Sequence, residues 1–160
     1  MAAASSPYRS LPADRRVALI THAMKASSAG RARWTDRLAA RNGFRPVTLK
    51  AWPIDRVARE VVRTKAETPQ DEFDLLHLLY VELEPAIQST FLDAAGVRHR
   101  NGVMHEELKP PYADEAAVRR GAAAVREAHG EDGLRYLRTL ARYSREGWPG
   151  IETEARDSLP

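Results

Sequence analysis

The chain has 160 residues, with 25 Lys and Arg against 22 Asp and Glu for a formal charge of +3, and it is 43% hydrophobic, 29% charged and free of cysteine. These proportions suit a folding chain with one ordinary core and exclude global disorder and fibrous repeats. The lack of cysteine excludes disulfides, thiolate zinc sites, iron–sulfur clusters and cysteine nucleophiles, and a reducing, cytoplasmic compartment is expected.

Residues 1–11, with Ser5, Ser6, Pro7 and Ser10, contain no apolar run of the signal-peptide kind and are expected to form a mobile tail. A first helix is expected from Pro12 or Asp14, because Val17, Ile20 and Met24 recur at helical spacing. Trp34 and Leu38 anchor a second helix over 31–41, stopped by Asn42-Gly43, where both residues tolerate positive φ. The run Val47, Thr48, Leu49, Lys50 alternates apolar and polar but has no partner strand, so it reads as connecting chain. Pro53 then opens the clearest helix, with Ile54, Val57, Ala58, Val61 and Val62 on one face and Arg56, Arg59 and Arg63 on the other.

Thr68-Pro69 followed by Gln70, Asp71 and Glu72 resembles a capped start. The central helix expected next carries an apolar stripe of Phe73, Leu76, Leu79, Tyr80, Leu83, Ile87 and Phe91, broken near Glu84 because Pro85 removes a backbone donor. Its most apolar stretch, 75–83, is interrupted by His77 and Glu82, so no membrane span is expected. Residues 97–111 read as a long irregular loop turning at Asn101-Gly102 and leaving through Pro110-Pro111. Asp114 caps a helix to His129 that Gly130 stops, and a last helix uses Leu134, Leu137, Leu140 and Ala141 before Gly147. The fold class is therefore all-α, a compact bundle-like packing of five to six helices in a single domain over 12–150, with a frayed tail over 151–160.

Three features bear on function. Residues 1–65 hold 14 Lys and Arg against 4 Asp and Glu, a net +10, and the rest of the chain is net −7. This asymmetry suits attraction between the halves, within one fold or across a homodimer, or nucleic-acid binding through Arg31, Arg33, Arg37, Arg41, Arg56, Arg59 and Arg63. Arg135, Arg138, Arg142 and Arg145 recur at i, i+3, i+7 and i+10, a basic stripe able to meet an anionic partner through guanidinium forks, or simply a solvated face. Finally, His77, His99, His105 and Glu106 have the side-chain types of a metal or acid–base site, although their spacing matches no established ligand motif.

No GxGxxG, GxxxxGK[ST] or GxSxG motif occurs, so no cofactor is expected. The leading expectation is an accessory protein, not an enzyme, that presents a charged helical face to a protein partner or to its own copy. Nucleic-acid binding and a metal-assisted or acid–base enzyme are the alternatives.

Overall fold

The computed structural model describes residues 6–156. Its architecture is all-α, as expected, with eight α-helices and one two-stranded hairpin among the described residues. The chain divides into two compact units, one ending at Leu78 and the next starting at Leu79. No helix among the described residues is long and apolar enough to cross a membrane.

The first unit holds α1 (Ala13–Ala26), α2 (Ser28–Asn42), α3 (Pro46–Lys50), α4 (Ile54–Thr64) and α5 (Pro69–Leu78). The stripe read on α4 is its packing face: Val57, Ala58, Val61 and Val62 are buried, mainly against α1. Leu19, Ile20 and Met24 answer from α1, and Trp34 and Leu38 from α2. Ser27 caps α2 by accepting the Gly30 N–H at 3.1 Å, and Gly43 ends that helix at φ 71°. Both arise from local chemistry, a free donor at one end and a left-handed residue at the other. Thr68 and Asp71 form a capping box on α5: the Thr68 hydroxyl accepts the Asp71 N–H at 3.2 Å while the Asp71 carboxylate accepts the Thr68 N–H at 2.7 Å.

Two expectations are corrected here. The residues read as connecting chain form α3, because Pro46 fixes the first helical φ and Thr48 N–H reaches Arg45 O at 2.9 Å. The described part of the expected tail, residues 6–11, is packed: Tyr8 and Leu11 are buried, and Arg9 is paired with Glu67 and Glu72. Residues 1–5 lie outside the described residues.

The second unit begins with a π-helical turn, Leu79–Leu83, followed by α6 (Pro85–Ala95), β1 (His99–Arg100), β2 (Val103–Met104), α7 (Glu115–Tyr143), a 3₁₀ turn Arg145–Gly147 and α8 (Ile151–Glu154). The break expected near Glu84 is present, with Pro85 opening α6. The π winding, marked by the Glu84 N–H to Leu79 O bond at 2.7 Å, adds a residue to the turn and rotates the side chains after it about the helix axis. Leu83 accordingly leaves the apolar stripe and is exposed. Phe73 is also exposed, because the inward positions of α5 are Asp71, Glu72, Leu75 and Leu76.

The core of this unit lies between α6 and α7 and is aromatic. Phe91 meets Trp148 edge-on at 5.0 Å and Tyr136 at 5.7 Å, and Tyr136 meets Tyr80 at 5.0 Å. Gly121 allows the close approach of α7, since a Cβ there would stand 2.9 Å from both the Phe91 ring and its carbonyl oxygen. Gly121→Ala is therefore expected to cost about 1–3 kcal/mol through overpacking, despite the better helix propensity of alanine. The fall in urea midpoint measures it.

The stop expected at Gly130 is a break inside α7, at φ 55° and ψ −125°. The loop expected over 97–111 is partly ordered as the β1–β2 hairpin, with Asn101 and Gly102 both at positive φ, as a two-residue type I′ connection requires. The described part of the expected frayed end is also corrected. Ile151 is buried, and Glu154 receives Arg126, with an N–O distance of 3.2 Å. Residues 157–160 lie outside the described residues.

Candidate interaction surfaces

In the first unit, three carboxylates from the acidic stretch after residue 65 turn inward. Glu67 accepts the Tyr8 hydroxyl at 2.8 Å and the Arg9 guanidinium at 3.2 Å, while Glu72 takes the Arg9 Nε at 2.6 Å. Asp71 is paired with Arg37 and, at 3.5 Å, with Arg33. Burial raises the Asp71 pKa, but the Thr68 N–H and hydroxyl together with Arg37 outweigh it and hold the carboxyl below the usual range. Burial and the Glu67 charge push the Tyr8 hydroxyl up, so it stays a donor. Attraction between the basic and acidic stretches is thus realised inside one unit. Its surface consequence is that Glu67, Asp71 and Glu72 offer almost no negative charge to solvent.

Of the seven arginines considered for nucleic acid, five are engaged. Arg33 and Arg37 serve Asp71, Arg59 pairs with Asp55 at 2.7 Å, Arg63 pairs with Glu60, and Arg31 donates to the carbonyls of Lys50 and Trp52 at 3.4 and 3.1 Å. Arg56 lies over the Trp52 ring at 4.0 Å, and Arg41 is exposed on the last turn of α2.

A different grouping emerges over residues 41–56. The end of α2, all of α3 and the start of α4 form a corner pinned by the two Arg31 bonds and by Phe44 packing edge-on against Trp52 at 5.2 Å. Arg41, Arg45, Lys50 and Arg56 are exposed there, with Asp55 the one acid in the range. Val47, in the same stretch, is 71% exposed. Sequence reasoning missed this corner because 47–50 read as a connection. The signal was the interleaving of cations with Phe44, Val47 and Trp52.

The four arginines expected on one helix do not form one free face, and Arg145 lies in the 3₁₀ turn beyond the end of α7. Arg135 is buried and paired with Asp132, Arg138 donates to the Ala155 carbonyl at 3.4 Å, and Arg145 pairs with Glu152 at 2.9 Å. Arg142 lies 5.6 Å from the Tyr143 ring centroid. Arg142 and Arg145 also line an open cavity of about 630 Å³ with Tyr112, Tyr143 and Glu146.

The His and Glu side chains have separate local roles. His77, in the first unit, stacks on Phe73 at 6.3 Å. In the second, His99 Nδ1 accepts the Gly102 N–H at 3.0 Å, which leaves the ring proton on Nε2, 2.7 Å from Asp93. His105 and Glu106 are exposed beyond β2, and both line a groove of about 590 Å³ with Val81, Arg100, Val103 and Met104. No group of three or more His, Asp or Glu that could hold a metal ion occurs among the described residues, these four included. Comparison of the chain with protein-family models, curated proteins and solved structures finds no match.

Proposed function

We propose that the chain is a protein-interaction module whose first unit docks an acidic, partly apolar segment of a partner protein on the corner formed by residues 41–56. The observation that carries this reading is Val47, 71% exposed on a short stretch of chain that also carries the exposed Arg41, Arg45, Lys50 and Arg56. An apolar centre within a charged rim is the anatomy of a protein interface. A peptide bearing a leucine or phenylalanine between glutamates would bury its apolar side chain on Val47 and meet cations on either side.

Two features favour a protein over nucleic acid. Arg59 and Arg63 are already paired with Asp55 and Glu60, so the basic surface does not continue along α4 as a track of several phosphates would require. One face of Trp52 carries Arg56 and its ring packs against Phe44, so it makes a poor base-stacking platform.

The test is fluorescence anisotropy with a labelled peptide rich in Glu and Leu, run beside labelled single-stranded and duplex DNA. The peptide is expected to bind, and Val47→Asp with Lys50→Glu to weaken it about tenfold, equivalent to 1.4 kcal/mol. DNA binding with a steep salt dependence, or peptide binding indifferent to the two substitutions, contradicts the proposal.

A further inference from the structure

The β1–β2 hairpin is held on α6 through its turn and through β1. Gln88 donates to the Gly102 carbonyl, Gly102 N–H donates to His99 Nδ1 at 3.0 Å, and His99 Nε2 meets Asp93 at 2.7 Å. A Cβ on Gly102 would stand 3.4 Å from the Gln88 side chain and from Pro85 O, so the turn sits tightly on its support. Val103, opposite Arg100 in the hairpin register, is instead 53% exposed.

The register determines where the backbone points. With a two-residue turn, Arg100 and Val103 exchange the hydrogen bonds that close the hairpin, and His99 and Met104 form the next, non-hydrogen-bonded pair. The N–H and C=O of Met104 therefore face away from β1, along the outer edge of β2. An outward-facing strand edge beside an exposed valine and an apolar groove is a template for another strand, and two strands alone make a marginal sheet.

The charges around this edge indicate its fitting partner. Arg100 is exposed beside the start of β2, and Glu106 and Glu107 are exposed just beyond its end, where they outnumber Arg98, the exposed cation that precedes β1. When two copies of one strand pair antiparallel, the start of each lies against the end of the other. The positive end of each edge would then face the acidic end of its twin, which is the self-complementarity of a two-fold interface. A strand from an unrelated protein has no built-in reason to match both ends.

We infer that β2 and the groove beside it form a homodimer contact, in which β2 pairs antiparallel with β2 of a second copy. Val103 and Met104 lie at its centre, and Arg100 faces the acidic end of the second copy. This contact is independent of the basic corner in the first unit, and a dimer would present two such corners to a multivalent partner.

Sedimentation velocity of the full chain, from low micromolar to several hundred micromolar, tests the inference. The expected result is a concentration-dependent monomer–dimer equilibrium. Val103→Glu should raise the dimer dissociation constant at least about tenfold, with an unchanged melting curve as the check on folding. Arg100→Glu alone, and Glu106→Arg with Glu107→Arg, should each weaken the dimer, whereas the three together should restore it by exchanging the charges across the two-fold axis. A chain monomeric at every concentration overturns the inference, as does a dimer untouched by Val103→Glu or not restored by the triple variant. Loss of the dimer on Val47→Asp overturns it as well, since the contact would then lie on the basic corner.

Discussion

Asp71→Ala is expected to destabilise the first unit by about 3 kcal/mol, the low end of the usual cost of removing one partner from a buried ion pair. The low end applies because the Arg37 side chain is 25% exposed and retains some access to water. The carboxylate also accepts the Thr68 N–H and hydroxyl, each at 2.7 Å, so the variant loses the reciprocal half of the α5 capping box along with its charge. The pH dependence separates charge from packing. Asp71 has a folded pKa below its ordinary value, so its contribution is complete above the unfolded value near 4 and disappears as pH falls through the lower folded value. Asp71→Asn should therefore lose stability at neutral pH and show a shallower decline below pH 4 than the parent chain. Equilibrium urea unfolding at neutral pH and at stepped acidic pH measures both.

Trp148→Ala is expected to cost about 3–5 kcal/mol in the second unit. Trp148 is 1% exposed and packs against Phe91 at 5.0 Å and Tyr112 at 5.2 Å, so its removal opens the aromatic core between α6 and α7. Trp148→Phe should cost markedly less than truncation. The indole N–H has no hydrogen-bond partner among the described residues, and phenylalanine removes that unsatisfied donor while keeping much of the ring contact. Thermal unfolding followed by circular dichroism ranks the variants, and equal losses for Ala and Phe would contradict this account of the core.

Local signals made much of the fold readable. The α4 stripe, the Thr68 start, the Pro85 break, the Asp114 cap and the Gly130 interruption are all set by residues within one or two turns of each other. Features that depend on distant partners were not readable. Tyr8 and Arg9 show no periodicity, and they are ordered by Glu67 and Glu72, roughly sixty positions along the chain. The π turn at 79–83 shifted the register that would have placed Leu83 inward. The arginine stripe has correct helical spacing, and Asp132, three residues before Arg135, was a partner that spacing could have supplied, but nothing local shows that Ala155 returns to receive Arg138. For the same reason, the basic character of the first unit was visible as a charge count. Its concentration at residues 41–56 depended on knowing which arginines were already engaged.

Backbone amide shifts recorded while the Glu- and Leu-rich peptide is titrated into the full chain would locate the docking surface. Perturbations confined to residues 41–56, largest around Val47 and Lys50 and fading as salt is raised, are the predicted result. Perturbations centred on the α7 arginines, or spread evenly over both units, would contradict it.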